Sequence, residues 1–348
     1  MIYFNNDYAE GCHSVVLQRL IETNMEQTSG YSTDSYCAKA AACIRNLCGR
    51  EDLAVHFLVG GTQANLTVIS AALRPHEAVI GAESAHIHVH ETGSIEATGH
   101  KILAVSSDDG KLTAAQVEAL AISHEQDPDR EHTAKPKMVY ISQPTELGTL
   151  YTLSELEQLH QVCRKHGLYL FADGARLGYG LTAPGNDVTL EDLARLCDVF
   201  YIGGTKVGAM FGEAVVIGQP SIAADFRYLI KRHGGMLAKG RLLGVQFCAL
   251  MEDGLYFRVG RHANDLAQKL RRTLKELGYP MLVETTTNQL FPILPDKVLL
   301  ELEKEFTFVR QKKVDDLHTA IRFCTSWATT VDNVEKLCQA LHKFANLL

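Results

Sequence analysis

Three short stretches carry residues whose types and order could do chemistry. Asp198-Val199-Phe200-Tyr201-Ile202-Gly203-Gly204-Thr205-Lys206 is an apolar run that ends in two glycines and a lysine. An amine delivered just past a buried strand can form an imine with an aldehyde cofactor, although a surface lysine on a tight turn would read the same way. Upstream, Phe171-Ala172-Asp173-Gly174-Ala175-Arg176 brings a carboxylate and a guanidinium to the end of another apolar run. Such a carboxylate can keep a pyridine nitrogen protonated while the guanidinium holds nearby charge; an ion pair at a strand end is the plainer alternative. Earlier still, Gly60-Gly61-Thr62-Gln63-Ala64-Asn65 places small residues where a strand gives way to a helix. Backbone amides, the helix terminus and the Thr62 hydroxyl could meet a phosphate there, but taken alone the turn is better explained as a helix start. The chain order is more specific than any one member: an anion loop, then Asp173, then Lys206, each after an expected strand.

His86, His88 and His90 alternate, so on a strand they would share a face and could ligate a metal. Glu91 to Thr98 reads as the opening of a helix, however, and no further ligand cluster offers itself, so no metal is expected.

These residues need elements to position them. From about Leu53 to Ile217, β-rich apolar runs alternate with helical patterns, the rhythm of α/β units around a mostly parallel sheet. The expected strands are 54–59, 78–81, 101–105, 138–142, 169–172, 199–202 and 214–217. Between them fall helices at 63–73, 113–122, 153–165 and 190–196, several opened by a Ser or Thr cap. Two helices, 241–253 and 256–277, lead out of this region. After Gly278-Tyr279-Pro280 the pattern changes to short strands, 289–294 and 320–324, and helices 295–305 and 331–347, which reads as a smaller α+β domain. The expected division is an N-terminal segment 1–15, a large domain 16–250 and a small domain 251–348.

Composition bounds what these elements serve. With 348 residues, 46% hydrophobic and 22% charged, the chain can bury a sizeable core. A formal net charge of −7 argues against a nucleic-acid partner, which would need a basic face. No apolar stretch is long enough to cross a bilayer and no secretory leader opens the chain, so no membrane association and a cytoplasmic location are expected. The nine cysteines are scattered without a Cys-x-x-Cys pair, as expected for reduced thiols used as small core residues.

On the residues quoted, the chain resembles the threonine aldolase and β-eliminating lyase family of fold-type-I pyridoxal-phosphate enzymes. The resemblance runs from Phe4-Asn5-Asn6-Asp7 through the Gly60 to Asn65 loop, Ala85-His86-Ile87-His88, Leu170 to Leu177 and Gly203 to Lys206, and on to Arg322. It implies an α/β, transferase-like large domain with a mostly parallel sheet, a smaller α+β C-terminal domain, and bound pyridoxal 5′-phosphate. Lys206 would be the Schiff-base lysine, His86 would stack on the ring, Gly61, Thr62 and Gln63 would take the phosphate, and Asp173 would face the ring nitrogen with Arg176 nearby. Arg322 would hold the carboxylate of an amino-acid substrate, with Asp7, His88 and Arg176 as further contacts. Tyr31, Lys239 and Arg241 resemble segments that reach a neighbouring subunit's site, implying a homodimer or homotetramer.

The implied reaction is cleavage of threonine, allo-threonine or a related β-hydroxy amino acid to glycine and an aldehyde. β-Elimination on the same scaffold is the alternative, and a non-catalytic, metal-binding protein a remote one. One departure stands out. Better-known aldolases of the family carry Thr-His after the strand ending near Ser142, whereas this chain has Thr145-Glu146. Glu146 could act as the base for the substrate hydroxyl, or be a structural acid bonded to backbone amides.

Overall fold

The structure, a computed structural model, describes residues 1–345. A short N-terminal strand, Ile2–Tyr3 (β1), precedes the main sheet. That sheet has seven strands: Ala54–Leu58 (β2), Glu77–Ala82 (β3), Lys101–Val105 (β4), Lys135–Ser142 (β5), Tyr169–Asp173 (β6), Val199–Gly203 (β7) and Glu213–Ile217 (β8). Their spatial order is β2-β8-β7-β6-β5-β3-β4. From β7 to β4 all neighbours are parallel, and the central strands β3, β7 and β8 are buried at every residue. Burial on both faces is why they read as continuous apolar runs rather than alternating ones.

β8 runs antiparallel to both β7 and β2. The connection 204–212 explains this: a parallel crossover needs about a dozen or more residues, usually with a helix, and this link has neither. Lys206 therefore lies in a tight connection between antiparallel strands, pinned where the Gly204 and Thr205 amides donate to the Gly212 carbonyl at 2.9 and 3.1 Å.

Several helices begin at the Thr caps read from the sequence. Thr113, Thr152 and Thr189 each form a reciprocal capping box, with Gln116, Glu155 and Asp192 respectively. Helices Leu153–Lys165 and Leu190–Leu196 have the expected bounds. The helix Arg241–Met251 is buried on all sides from Leu243 onward, as an apolar helix without a polar face must be.

The small domain is antiparallel. Gln289–Leu290 (β9), Ile293–Pro295 (β10) and Val309–Lys313 (β12) all pair with the long strand His318–Cys324 (β13). Phe306–Thr307 (β11) pairs in parallel with β1, which ties the N-terminus to this domain. Helices Asp296–Leu302 and Val331–Phe344 cover it, and positions 346 and 347 of the expected last helix lie outside the described residues. The core changes over within one helix, Leu255–Glu276: Leu255 to Ala263 pack into the large core, Leu266 to Leu274 into the small one. Phe4 joins the small core. The expected division at 250/251 thus precedes this helix, and the first residues, Ile2 to Phe4, pack with the C-terminal domain while Cys12 and His13 meet the large one.

Candidate active site

A cavity of about 500 Å³ opens where the strands deliver their carboxyl ends, and residues from five of those ends line it. Gly60, Gly61 and Thr62 follow β2, His86 and His90 follow β3, Glu146 follows β5, Asp173 ends β6, and Lys206 follows β7. Ligands of open α/β sheets collect at this edge. Tyr8 and Arg322 close it from the N-terminal segment and the small domain.

Close approach of β6 and β7 sets Asp173 beside Lys206. The Gly203 amide donates to the Gly174 carbonyl at 2.9 Å, and a Cβ on either glycine would run into the other strand's backbone. Lys206 Nζ lies 6.0 Å from the centre of the Tyr8 ring, and no hydrogen bond or ion pair among the described residues occupies it. Its backbone carbonyl accepts from the Tyr179 hydroxyl, which fixes the loop.

Asp173 is held on both oxygens. Oδ1 accepts from the Ala175 amide at 2.9 Å, and Oδ2 from the Tyr140 hydroxyl at 2.5 Å and Asn65 Nδ2 at 3.1 Å. Asn65 also donates to Glu91 Oε1 at 2.7 Å; the same oxygen accepts from His86 Nδ1 at 2.8 Å, and Ser94 binds Oε2 at 2.8 Å. A continuous network therefore joins His86 to Asp173 and fixes both rotamers. Burial works against a charged His86 ring, but the Glu91 hydrogen bond and the charges of Glu146 and Asp173 outweigh it and raise its pKa. Burial, then the Asp173 charge, pushes the Tyr140 phenol well above its usual value, so it serves as a donor.

At the other end, the helix Gly61–Ala72 makes its first bond from the Ala64 amide to the Gly60 carbonyl, leaving the amides of Gly61, Thr62 and Gln63 without intrahelical acceptors. The Gln63 side chain turns away, accepting from the Val59 amide and donating to the His233 carbonyl. Only its backbone is placed to meet an anion.

Other expected contacts are repositioned. Asp7 is fully buried, its carboxylate taken by Arg176 Nε at 2.7 Å, Arg176 Nη2 at 3.1 Å and Asn288 at 2.9 Å. It orients Arg176, which lines the cavity, and does not face the cavity itself. Burial alone would raise the Asp7 pKa, but Arg176 and Lys206 hold it below the usual carboxylate value. His88 is exposed and outside the cavity, while His90 lines it. His86–Val89 is a helical turn rather than a strand, so residues four apart share a face and His86 meets His90 at 5.5 Å between ring centres. Beyond it, only Glu96–Thr98 is helical, as one 3₁₀ turn, where a longer helix from Glu91 was expected. No group of His, Cys, Asp and Glu that could hold a metal occurs among the described residues.

Arg322, on β13, donates to the Asn5 carbonyl at 2.9 Å and to Gln289 at 3.3 Å, while its Nε is buried without a partner among the described residues. Glu146 is half-buried, and no hydrogen bond from the described residues holds its carboxylate. Tyr31 is exposed and lies under Lys231, Lys239 is exposed, and Arg241 binds the carbonyls of Thr23 and Asn24.

Sequence reasoning missed Asn65, Glu91, Tyr140 and Glu213. Asn65 and Glu213 each left a signal, as a strongly polar side chain in an apolar pattern: Asn65 within Ala64 to Ile69, where Thr67 is the other polar residue, and Glu213 heading the run Ala214 to Ile217.

The geometry agrees with what comparison finds. The family model described as beta-eliminating lyase matches residues 6–296. A low-specificity L-threonine aldolase from Pseudomonas sp. is 30% identical over 341 residues, covering 96% of this chain and 95% of that protein. Its counterpart from Pseudomonas aeruginosa is 28% identical over 343 residues, covering 97% and 96%. Among solved structures, a threonine aldolase from Leishmania major superposes with a TM-score of 0.97 at 46% identity, covering 99% of this chain and 100% of that one. A family match over residues 6–296, with a 30%-identical relative covered almost end to end, means that the chain belongs to the β-eliminating lyase family.

Proposed function

We propose that this protein is a pyridoxal-phosphate-dependent carbon–carbon lyase that cleaves threonine or related β-hydroxy amino acids to glycine and an aldehyde. The observation that carries this reading is the convergence, in one cavity, of an unoccupied lysine amine, a buried carboxylate fixed by three donors and a helix N-terminus with free amides. Those three features fit the aldehyde, ring nitrogen and phosphate of the cofactor in turn, and the 46%-identical relative is a threonine aldolase.

When bound, pyridoxal phosphate supplies an imine-forming carbonyl and a protonated ring that accepts the electrons of the breaking bond. Lys206 would hold it covalently, Asp173 would keep the ring nitrogen protonated, and His86 would lie against the ring. The amides of Gly61, Thr62 and Gln63 would take the phosphate. Arg322, whose Nε has no partner among the described residues, suits the substrate carboxylate, and Arg176 adds positive charge to the same cavity. Glu146 suits removal of the β-hydroxyl proton: it lines the cavity, and nothing among the described residues ties its carboxylate down as a structural acid would be tied.

A homo-oligomer with shared sites belongs to the same proposal. Tyr31 and Ser32 both hold left-handed backbone, φ 58° and 59°, in an exposed turn, and strain of that kind persists where surroundings or function demand it. Ile21, Met25 and Tyr228 expose apolar surface. No helix among the described residues is long and apolar enough to cross a membrane, and the free cysteines suit a reducing compartment, so we also propose a cytoplasmic location.

One experiment tests the core of this assignment. Purified protein should be yellow, lose that colour to borohydride with label on Lys206, and release acetaldehyde from threonine. Lys206→Ala should be folded yet inactive. Acetaldehyde release by Lys206→Ala at the wild-type rate would overturn the assignment, and β-elimination without threonine cleavage would favour the alternative reading.

A further inference from the structure

Glu213 is a buried carboxyl that the proposed reaction does not use. It heads β8, where it pairs with Leu58 of β2 on one side and with Gly203 of β7 on the other. β2 feeds the Gly60-Gly61-Thr62 anion turn and β7 feeds Lys206, so Glu213 sits at the seam between the phosphate end and the lysine. It lines the same cavity, is 3% exposed, and accepts from the Gly204 amide at 3.1 Å. No arginine or lysine among the described residues forms an ion pair with it.

We propose that Glu213 is a positioning residue for the cofactor phosphate that works only as the neutral acid, so that the cavity binds the phosphate only while Glu213 holds its proton. The inference rests on the pyridoxal-phosphate reading of the cavity. An ionised carboxylate at this seam would face Asp173 and the incoming phosphate, with Lys206 as the counter-charge that acts on it. A neutral carboxyl removes that repulsion. The groups that face it are few: Lys206 and Thr205 after β7, Asp173 at the end of β6, and the Tyr201 and Tyr256 phenols from β7 and the helix Leu255–Glu276. Burial is the largest influence on Glu213 and Asp173 adds to it; against the opposing effects of Thr205, Lys206 and the Gly204 amide, they push its pKa up to about 8. Free protein at neutral pH thus already holds the proton. Bound phosphate, as a further like charge, favours that proton more strongly.

The sign follows from linkage. Below about pH 8 the proton is in place and phosphate binding is independent of it. Above that pH, binding must take up a proton, and affinity falls by up to about tenfold per pH unit. Equilibrium dialysis of the full chain against pyridoxal phosphate from pH 7 to 9.5, for wild type and Glu213→Gln, reads this directly. Ionisation of Lys206 and of the cofactor ring is common to both proteins, so the difference between them isolates Glu213. The expected result is similar affinity at pH 7 and a wild-type loss at pH 9 about tenfold greater than in Glu213→Gln. Parallel pH profiles would overturn the proposal while leaving the cofactor reading intact; no retained pyridoxal phosphate in wild type at pH 7 would overturn both. A second measurement needs no variant. The infrared carbonyl band of a buried protonated carboxyl should be present in wild type at pH 7, vanish as cofactor-free protein is taken to pH 9.5, and persist in holoenzyme, whereas its absence at pH 7 would overturn the proposal.

Discussion

Glu146 and Arg322 stand on opposite sides of the chemistry and should fail differently when removed. If Glu146 accepts the β-hydroxyl proton, Glu146→Gln keeps shape and loses the base, and kcat for threonine cleavage should fall about 10²-fold or more. Visible spectra should still report substrate on the cofactor; an unchanged kcat would move the base to His90, the other imidazole lining the cavity, or to water. Arg322→Ala removes charged donors from the expected carboxylate site, a loss of roughly 1.5–3 kcal/mol for each hydrogen bond to a charged group. KM should rise at least about tenfold, since 1.4 kcal/mol is a factor of ten, while cofactor affinity measured by dialysis stays near wild type. Glu146 was legible as a departure from the pattern of the resembled family, and Arg322 only as a residue which that resemblance implied. Asn65 showed only as a polar side chain in an apolar stretch, and Glu91 and Tyr140 did not show at all, because the bonds that link Glu91 to Asn65 and Asn65 and Tyr140 to Asp173 reach across 26 to 108 positions, which no local spacing reveals.

At the scale of elements, alternation between residues 53 and 217 revealed strands and helices because β3, β5, β6, β7 and β8 are largely buried and the helices Ala114–Gln126, Leu153–Lys165 and Leu190–Leu196 open at Thr capping boxes. Short or exposed pieces escaped. The helical turn His86–Val89 is too brief to show a period, so the sequence did not reveal that His90 rather than His88 shares the face of His86. β12, Val-Arg-Gln-Lys-Lys, lies at a sheet edge with its last four residues exposed; edge strands carry charge that discourages further pairing, and that charge hides them from a hydrophobic pattern. The N-terminal segment shows the same limit, since nothing local says that Asp7 will be buried against Arg176. Asp7→Ala should destabilise the protein by about 3–5 kcal/mol, the usual cost of leaving one partner of a buried pair uncompensated. A lower denaturant midpoint at unchanged slope would read this out, and an unshifted midpoint would show that Arg176 finds another partner. Because the folded pKa of Asp7 is lowered, the pair's contribution is fully present above the ordinary carboxyl value of 3.8 and is lost as pH falls through the folded value. The wild-type advantage over Asp7→Ala should therefore be constant near neutrality and shrink only in acid.

For the molecule as a whole, the open question is what covers the apolar surface around Ser14–Glu22 and the turn at Tyr31. Within one chain Ile21 is 60% exposed and Met25 88% exposed. An apolar-to-charged change at such a position costs a monomer little, within about 0.5 kcal/mol for most surface sites. In an interface the same change buries an unpaired carboxylate and costs several kcal/mol. Ile21→Glu therefore separates the two states of the molecule. If neighbouring chains complete each other's sites, wild type should sediment as a dimer or larger, whereas Ile21→Glu should sediment at lower mass, keep its circular dichroism spectrum and lose activity. Raising its concentration should then restore mass and turnover together, because a weakened association still obeys mass action. A wild-type monomer with full activity, or an Ile21→Glu variant unchanged in mass, would place the complete site within a single chain and leave Tyr31 without a role in it.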